Sequence, residues 1–323
     1  MIRPLNILIA CEESQAVCRA YRQLGHNAYS CDLFDCSGTG FGDGETDPHP
    51  EWHFNHDITT VLDKTNLTLQ NGEQAIVNGD WDLMIAHPPC TFLAVSGAKW
   101  YYHPEDKHLP IDQRRPHPSF PNRAKDREDG VAFFLFLAKA PVKRIAIENP
   151  VGIMSSRWRK PDQTIQPYMF GDPYSKGTCL WLKNLRHLHP SKETDDKGEW
   201  IVFGSGKKLP KWYSDGLTKT KTKEDRQKWR SKTFPGIARA MAEQWAIQIA
   251  VEEGLLTPEE IEILGADYLE KIDKLTGGIR YKSAKVNKKL ETSQKSVKFD
   301  AELLAEIEKK EQTLINYWYT VKS

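Results

Sequence analysis

The chain has 323 residues, 39% of them hydrophobic and 28% charged, with a formal net charge of +1 and a mean hydropathy of −0.60. That length suits one large or two ordinary domains, and the composition excludes collagen-like, wholly disordered and coiled-coil chains. No apolar run approaches the ~20 residues that cross a bilayer, and the opening Met1-Ile2-Arg3-Pro4 leads into a strand rather than a cleaved leader, so the expected location is the cytoplasm, with no membrane partner.

Residues 5–10 form a short apolar, β-branched run, followed by a helical pattern through Ala16, Val17, Ala20, Tyr21 and Leu24 that Gly25 ends. Residues 27–33 then form a second strand finishing in an acid, so the chain opens as a strand-helix-strand unit and predicts a parallel, doubly wound α/β sheet. Further strands are expected at 81–86, ending at His87-Pro88-Pro89-Cys90, and at 142–147, ending at Glu148-Asn149-Pro150. A buried crossover helix at 130–140, stopped by Pro141, lies between them.

In such sheets ligands bind beyond the carboxyl ends of the strands. Glu12, Glu13, Asp32, Asp57, Cys90 and Glu148 all fall at expected strand ends. Around Ser191 the texture turns polar and Lys-rich. From 204 to 232 ten Lys and Arg stand against three Asp and Glu, leaving the rest of the chain acidic. Residues 233–256 return to an apolar helix, and beyond Pro258 the pattern is charged and helical, with a helix expected over 301–319. The division expected is therefore a catalytic unit at 1–190, a small basic insert at 191–232, a returning helix at 233–256 and a charged helical extension at 257–323.

The six cysteines are too sparse for a disulfide scaffold and contain no C-x-x-C pair, so no metal site is expected. Cys90 follows two prolines at a strand end, on a stiff turn that suits a nucleophile; its alternative is a small buried hydrophobe. Glu148 ends the next strand, where a carboxylate is costly to bury without a partner or a task. A thiol and a carboxyl on neighbouring strand ends suit addition to carbon 6 of a pyrimidine while the acid bonds the ring nitrogen and amino group of cytosine.

Pro88-Pro89-Cys90 together with Glu148-Asn149-Pro150, after a strand-helix-strand start, resembles the DNA (cytosine-5)-methyltransferase family, in particular its short divergent members often encoded by phages and prophages. The resemblance covers roughly residues 5–253. It implies a Rossmann-like methyltransferase fold, S-adenosylmethionine as donor and double-stranded DNA as partner, with the target base flipped into the site. On this resemblance Cys90 is the nucleophile and Glu148 the base-binding acid, with Asn149 and Ser96 of the following loop beside them. The donor would meet Ala10, Cys11, Glu12 and Glu13, then Asp32 and Leu33 at the ribose, Asp57 and Ile58 at the adenine, and Pro88.

The sequence also departs from that family. Its glycine-rich first turn is here Ala10-Cys11-Glu12-Glu13-Ser14, and its arginine motif has no clear match, the nearest stretch offering Lys176 and Thr178. Pro89 would contact the flipped base. DNA contacts are expected from the basic insert, through Lys207, Lys208, Lys211 and Arg230, and from Arg114 and Arg115 in a possible lid. A monomer is the working expectation. Modification of free dCMP-type nucleotides or of RNA, and a non-catalytic nucleic-acid binder of the same fold, stay open as alternatives.

Overall fold

A computed structural model of the protein describes residues 3–38, 47–265, 267–275 and 300–322. The opening unit is β1 (Asn6–Ala10), α1 (Ala16–Gln23) and β2 (Asn27–Asp32). There follow β3 (His53–Asn55), α2 (Ile58–Leu62), β4 (Leu83–Ala86), α3 (Arg123–Ala138) and β5 (Ile145–Pro150), then α4 (Met154–Arg157), β6 (Gln163–Ile165) and β7 (Thr178–Lys183). Seven strands form one sheet in the order β3-β2-β1-β4-β5-β7-β6. β1 to β5 pair in parallel, whereas β7 runs antiparallel to both of its neighbours. This is a mixed α/β, Rossmann-like arrangement whose first five strands follow the doubly wound order, with its switch point between β1 and β4.

Every residue of β1 and β4 is buried, as parallel strands covered on both faces require. Alternation divides their side chains between two cores. Ile7, Ile9, Leu83 and Ile85 pack with α1 and with α7 (Pro235–Glu252), while Leu8, Ala10, Met84 and Ala86 pack towards α2 and α3. On the first face the Tyr21 hydroxyl donates to the Met241 carbonyl at 2.7 Å, tying α7 back to the opening unit.

Several boundaries differ from the sequence expectation, two of them near the site. Helix α3 begins at Arg123 rather than near residue 130, because its first turns, rich in Arg, Lys, Asp and Glu, carry no apolar stripe for periodicity to register. Strand β5 runs through Glu148, Asn149 and Pro150 rather than ending before them. The cause is β7, whose Leu180, Cys179 and Thr178 pair with those three residues and extend the ladder.

The basic insert consists of β8 (Trp200–Val202), β9 (Lys208–Pro210), α5 (Lys211–Thr218) and α6 (Lys223–Ser231). Trp212 of α5 packs edge-on against Phe234 at 5.7 Å and joins the core shared by α1 and α7.

The extension beyond 257 contains α8 (Pro258–Leu264), α9 (Tyr268–Leu275) and α10 (Ala301–Lys322), while residues 276–299 of it lie outside the described residues. It is docked rather than trailing. Ile307, Leu314, Ile315 and Trp318 of α10 are buried in the α1 and α7 core. The Trp318 indole donates to Glu260 at 2.6 Å, and Glu311 accepts from the Tyr268 hydroxyl at 2.5 Å. Among the described residues no helix is long and apolar enough to cross a membrane.

Truncating a buried tryptophan typically costs about 3–5 kcal/mol. Trp318→Ala should therefore lower the urea midpoint of the whole chain in one transition, and an unchanged midpoint would mean that α10 contributes nothing to the core.

Candidate active site

Parallel pairing of β4 with β5 sets Ala86 opposite Ile147, so the residues that follow each, His87 and Glu148, are neighbours. The His87 Nδ1 lies 3.1 Å from Glu148 Oε2, with both side chains almost wholly buried. The His87 backbone N–H donates to the Ala10 carbonyl at 2.9 Å, so this residue joins the ends of β1, β4 and β5. Prolines 88 and 89 have no N–H with which to pin their own turn. Asn149 supplies the donor instead, its Nδ2 reaching the Pro88 carbonyl at 2.8 Å.

Beyond the turn, the Cys90 carbonyl accepts from the N–H groups of Leu93 and Ala94 at 3.0 and 2.9 Å. The chain after Cys90 then touches the chain after Glu148, with Ile153 N–H donating to the Leu93 carbonyl at 2.8 Å. A Cβ on Gly152 would stand 2.3 Å from that same carbonyl oxygen, so the approach needs glycine. The thiol turn and the acid strand are thereby fixed to each other.

Burial pushes the Glu148 carboxyl up, but the His87 hydrogen bond and the charge of Lys176 outweigh it and hold the group below the usual carboxylate range. Burial, reinforced by the negative Glu148, pushes the Cys90 thiol up, against Lys176 and Arg230, which pull it down. The resting site is therefore a carboxylate beside a protonated thiol, and neutralising the first favours ionisation of the second. Lys176 is set by its backbone N–H donating to Gln166 Oε1 at 2.9 Å, and by its Nζ reaching the Lys232 carbonyl at 3.4 Å. Arg230 lies over the Tyr213 ring at 4.4 Å. Thr178 is buried in β7 with its hydroxyl donating back to the Lys176 carbonyl at 3.2 Å.

A second cluster gathers at the ends of β1, β2 and β3. In place of a glycine turn, Cys11 and Gln15 adopt left-handed conformations at φ 60° and 59°. Glu12 turns onto its own helix, accepting from the Val17 and Cys18 N–H groups at 2.7 and 3.2 Å, so two amides of the first turn of α1 are already occupied. Burial pushes the Glu12 carboxyl up. Glu13 is buried, and its Oε2 has no hydrogen-bond partner among the described residues.

Asp32 is half-buried and pushed up by that burial, with Oδ1 accepting from the Phe34 N–H at 3.1 Å. Asp57 caps α2 through Thr59, whose N–H and hydroxyl lie at 2.8 and 2.7 Å, which lowers its carboxyl. The charges of Asp32 and Asp57 act on Cys11, and those of Glu13 and Lys228 act on Asp32, so these groups share one neighbourhood. Ala10 and Ile58 are buried in the sheet core on the α2 face and Pro88 is buried in its turn, whereas Leu33 and Pro89 are exposed.

Other expected site residues are not drawn into either cluster. Ser96 is exposed on the single helical turn at Val95–Trp100, while neighbouring Gly97 is buried under Arg123, whose guanidinium donates to the Thr91 carbonyl at 2.9 Å. The two arginines expected at DNA each bond within their own loop, with the Arg115 side chain still 60% exposed. Arg114 donates to the Leu109 and Lys107 carbonyls at 2.7 and 2.9 Å, and Arg115 pairs with the buried Asp106 at 2.7 Å, holding that carboxyl far below its usual range. Lys211 pairs with Glu199 at 2.5 Å, and Lys207 and Lys208 are exposed on the β8–β9 hairpin.

His87 is a residue of the candidate site that no motif in the sequence marks. Its available signal was its place directly before Pro-Pro-Cys at a strand end. Among the described residues no three His, Cys, Asp or Glu side chains gather as a metal site. Comparison of the chain with protein-family models gives no match, and comparison with curated proteins gives none.

The Cys90 and Glu148 coupling sets an order of thiol reactivity. Iodoacetamide labelling of the Cys90 peptide, followed by mass spectrometry at mildly alkaline pH, should be several-fold faster in Glu148→Gln than in the wild type and slower in Lys176→Gln. Equal rates in all three proteins would mean that neither charge reaches the sulfur.

Proposed function

We propose that the protein is an S-adenosylmethionine-dependent DNA (cytosine-5)-methyltransferase. The observation that carries this reading is the pairing of Cys90 and Glu148 on adjacent strand ends, locked through Asn149 and Gly152, with His87 hydrogen-bonded to the acid. Added to the resemblance of the two tripeptides, this arrangement suits covalent attack on a pyrimidine ring better than it suits a structural thiol.

In this reading Glu148 meets the edge of a flipped cytosine, accepting from the amino group and, after taking a proton from solvent as the base seats, donating it to the lone pair of the ring nitrogen. Uptake of that proton removes the negative charge that raises the Cys90 thiol. The thiolate becomes accessible when the correct base is seated, which links recognition to reactivity. Its sulfur adds to carbon 6, the electron pair moves into the ring towards the protonated nitrogen, and carbon 5 becomes nucleophilic; once carbon 5 carries the methyl group it loses its proton to water, the carbon 6–sulfur bond breaks, and the electron pair returns to Cys90 as thiolate. Lys176 and Arg230 offset negative charge at the sulfur before it adds. His87 fixes the Oε2 edge of Glu148 and leaves the other oxygen for the base.

S-adenosylmethionine, when bound, supplies the methyl group. The second cluster fits it on one observation above all, the buried and unpartnered Glu13 oxygen, an acceptor suited to the donor's ammonium. Asp32 would hold the ribose hydroxyls and Asp57 the adenine amino group. Glu12 is not assigned to the donor, because its carboxylate already closes α1.

Nucleoside mass spectrometry of DNA from cells expressing the chain tests this directly. A methyl increment on deoxycytidine should appear with the wild type and vanish in Cys90→Ala and in Glu148→Gln. Unmodified DNA would move the substrate to free nucleotides or RNA, and a different mass increment would overturn the donor.

Replacing His87 separates its hydrogen bond from its bulk. His87→Asn, which keeps an N–H for Glu148, should transfer methyl within about threefold of the wild type, while His87→Leu should lose about 10- to 100-fold, as expected for a hydrogen bond to a charged group. Equal loss in both variants would assign His87 a role beyond donation to Glu148.

A further inference from the structure

A cavity of about 440 Å³ opens at the end of the sheet opposite the Cys90 turn, where α1 finishes and β2 begins. Asn27, the first residue of β2, lines it, whereas Asp32, the last, belongs to the cluster at the carboxyl ends. At about 3.3 Å per residue the two ends of that strand stand roughly 17 Å apart. Arg19, Arg22, His26, His49 and Trp52 also line the cavity, and among the described residues no carboxylate does.

Arg22 is fixed in place by the fold. Its guanidinium lies over two rings, 4.6 Å from the centre of Tyr29 and 5.2 Å from that of Trp52, and its Nε donates to the Ala28 carbonyl at 2.7 Å. Its Nη2 is buried and has no hydrogen-bond partner among the described residues, so part of the hydration this cation loses is not replaced by the protein. An anion at the open edge of the guanidinium would offset that cost.

His26 adds a neutral donor. Its buried ring accepts the Leu5 N–H on Nδ1 at 3.3 Å, which places the ring proton on Nε2. The wall formed by His49 is held from behind by Gln15. The buried Gln15 amide accepts from the His49 N–H at 2.8 Å and donates to the His49 carbonyl at 2.9 Å. The His49 ring stacks on Trp52 at 3.7 Å and bonds Glu51 at 2.8 Å, which takes up the neighbouring acid.

We infer that this cavity binds a phosphate dianion, either the free ion or the terminal group of a sugar phosphate or nucleotide. Arg19 and Arg22 bring two permanent charges and His26 a further donor. A phosphate monoester answers with about two negative charges and three acceptor oxygens, where a carboxylate has one charge and two oxygens. The volume lies in the range of small-molecule sites, so a sugar or nucleoside can enter with the phosphate. The DNA backbone does not suit it, because a duplex seated over Cys90 lies at the other end of the sheet. The assignment is independent of the reaction at Cys90.

The test is isothermal titration calorimetry of the full chain with inorganic phosphate, ribose 5-phosphate, uridine 5′-monophosphate and uridine, at one ionic strength set with sodium chloride. The three phosphate probes should bind and uridine should not. Arg22→Gln should weaken binding by about 10- to 100-fold, and Arg22→Lys, which keeps the charge but loses the planar fork, by less. Circular dichroism checks that the variants fold, and Arg19→Gln, with a several-fold loss expected, supplies the same readout should an Arg22 variant unfold. Saturating S-adenosylhomocysteine should leave phosphate binding unchanged.

Equal affinity for phosphate and both esters would assign the free ion, and tighter esters would assign the metabolite. No binding of any phosphate probe, or binding that folded Arg22 and Arg19 variants leave unchanged, would overturn the site. Uridine binding as tightly as its monophosphate would overturn the phosphate, and competition by S-adenosylhomocysteine would move the ligand to the cluster at the carboxyl ends.

Discussion

The hydrogen bond between His87 and Glu148 is the contact around which the candidate site is organised. A carboxylate at a buried strand end is unfavourable by several kcal/mol if left without a partner. His87 and the charge of Lys176 together keep it ionised. The bond exists because β4 and β5 are parallel neighbours in a register that brings the residue after Ala86 beside the residue after Ile147. The ionised acid in turn sets the state of Cys90, so the resting thiol follows from the same contact.

The antiparallel strand β7 has a similar reach. A seventh parallel strand would carry its following loop to this end of the sheet, whereas β7 brings its preceding one. That reversal delivers Ser175, Lys176 and Thr178 to the Glu148 wall, and through Ser175 it anchors the foot of the basic insert. The two positive charges that act on Cys90, Lys176 and Arg230, therefore come from opposite ends of one folded segment held together by Trp212 and Phe234.

On the β1 side the turn is built differently from a glycine loop. Left-handed Cys11 and Gln15 supply the backbone conformation, and the Glu12 carboxylate satisfies the first amides of α1 from within the chain. Anion binding at that helix terminus is thereby replaced by an internal cap. The neighbouring Glu13 oxygen is buried and, among the described residues, unpartnered, so this turn presents an acceptor where a glycine loop presents backbone donors. Behind it, α1 rests on α7, and α10 covers both, so the C-terminal helices help hold the turn in place.

Strands β1, β2, β4 and β5 and helices α1, α3, α7 and α10 were legible in the sequence because β-branched runs, apolar periodicity and Pro or Gly stops are local signals, and so was the placing of Cys90 and Glu148 at successive strand ends; β3, β6, β7 and the elements of the insert were not. The polar first turns of α3 carried no such signal, and neither did the extension of β5 through Glu148, which depends on the partner strand β7. Composition marked residues 204–232 as basic, but pattern alone could not tell that Arg114 and Arg115 would be used by their own loop, or that Glu12 would cap α1 while Glu13 stayed unpaired. Those outcomes depend on which donors and acceptors meet across distant segments. The sequence by itself determined the first parallel strands, the long helices and the chemical groups at the strand ends; the tertiary structure decided the antiparallel strands and which groups are paired, ionised or unpaired among the described residues, because strand partnership, hydrogen bonding and burial are properties of the packed chain.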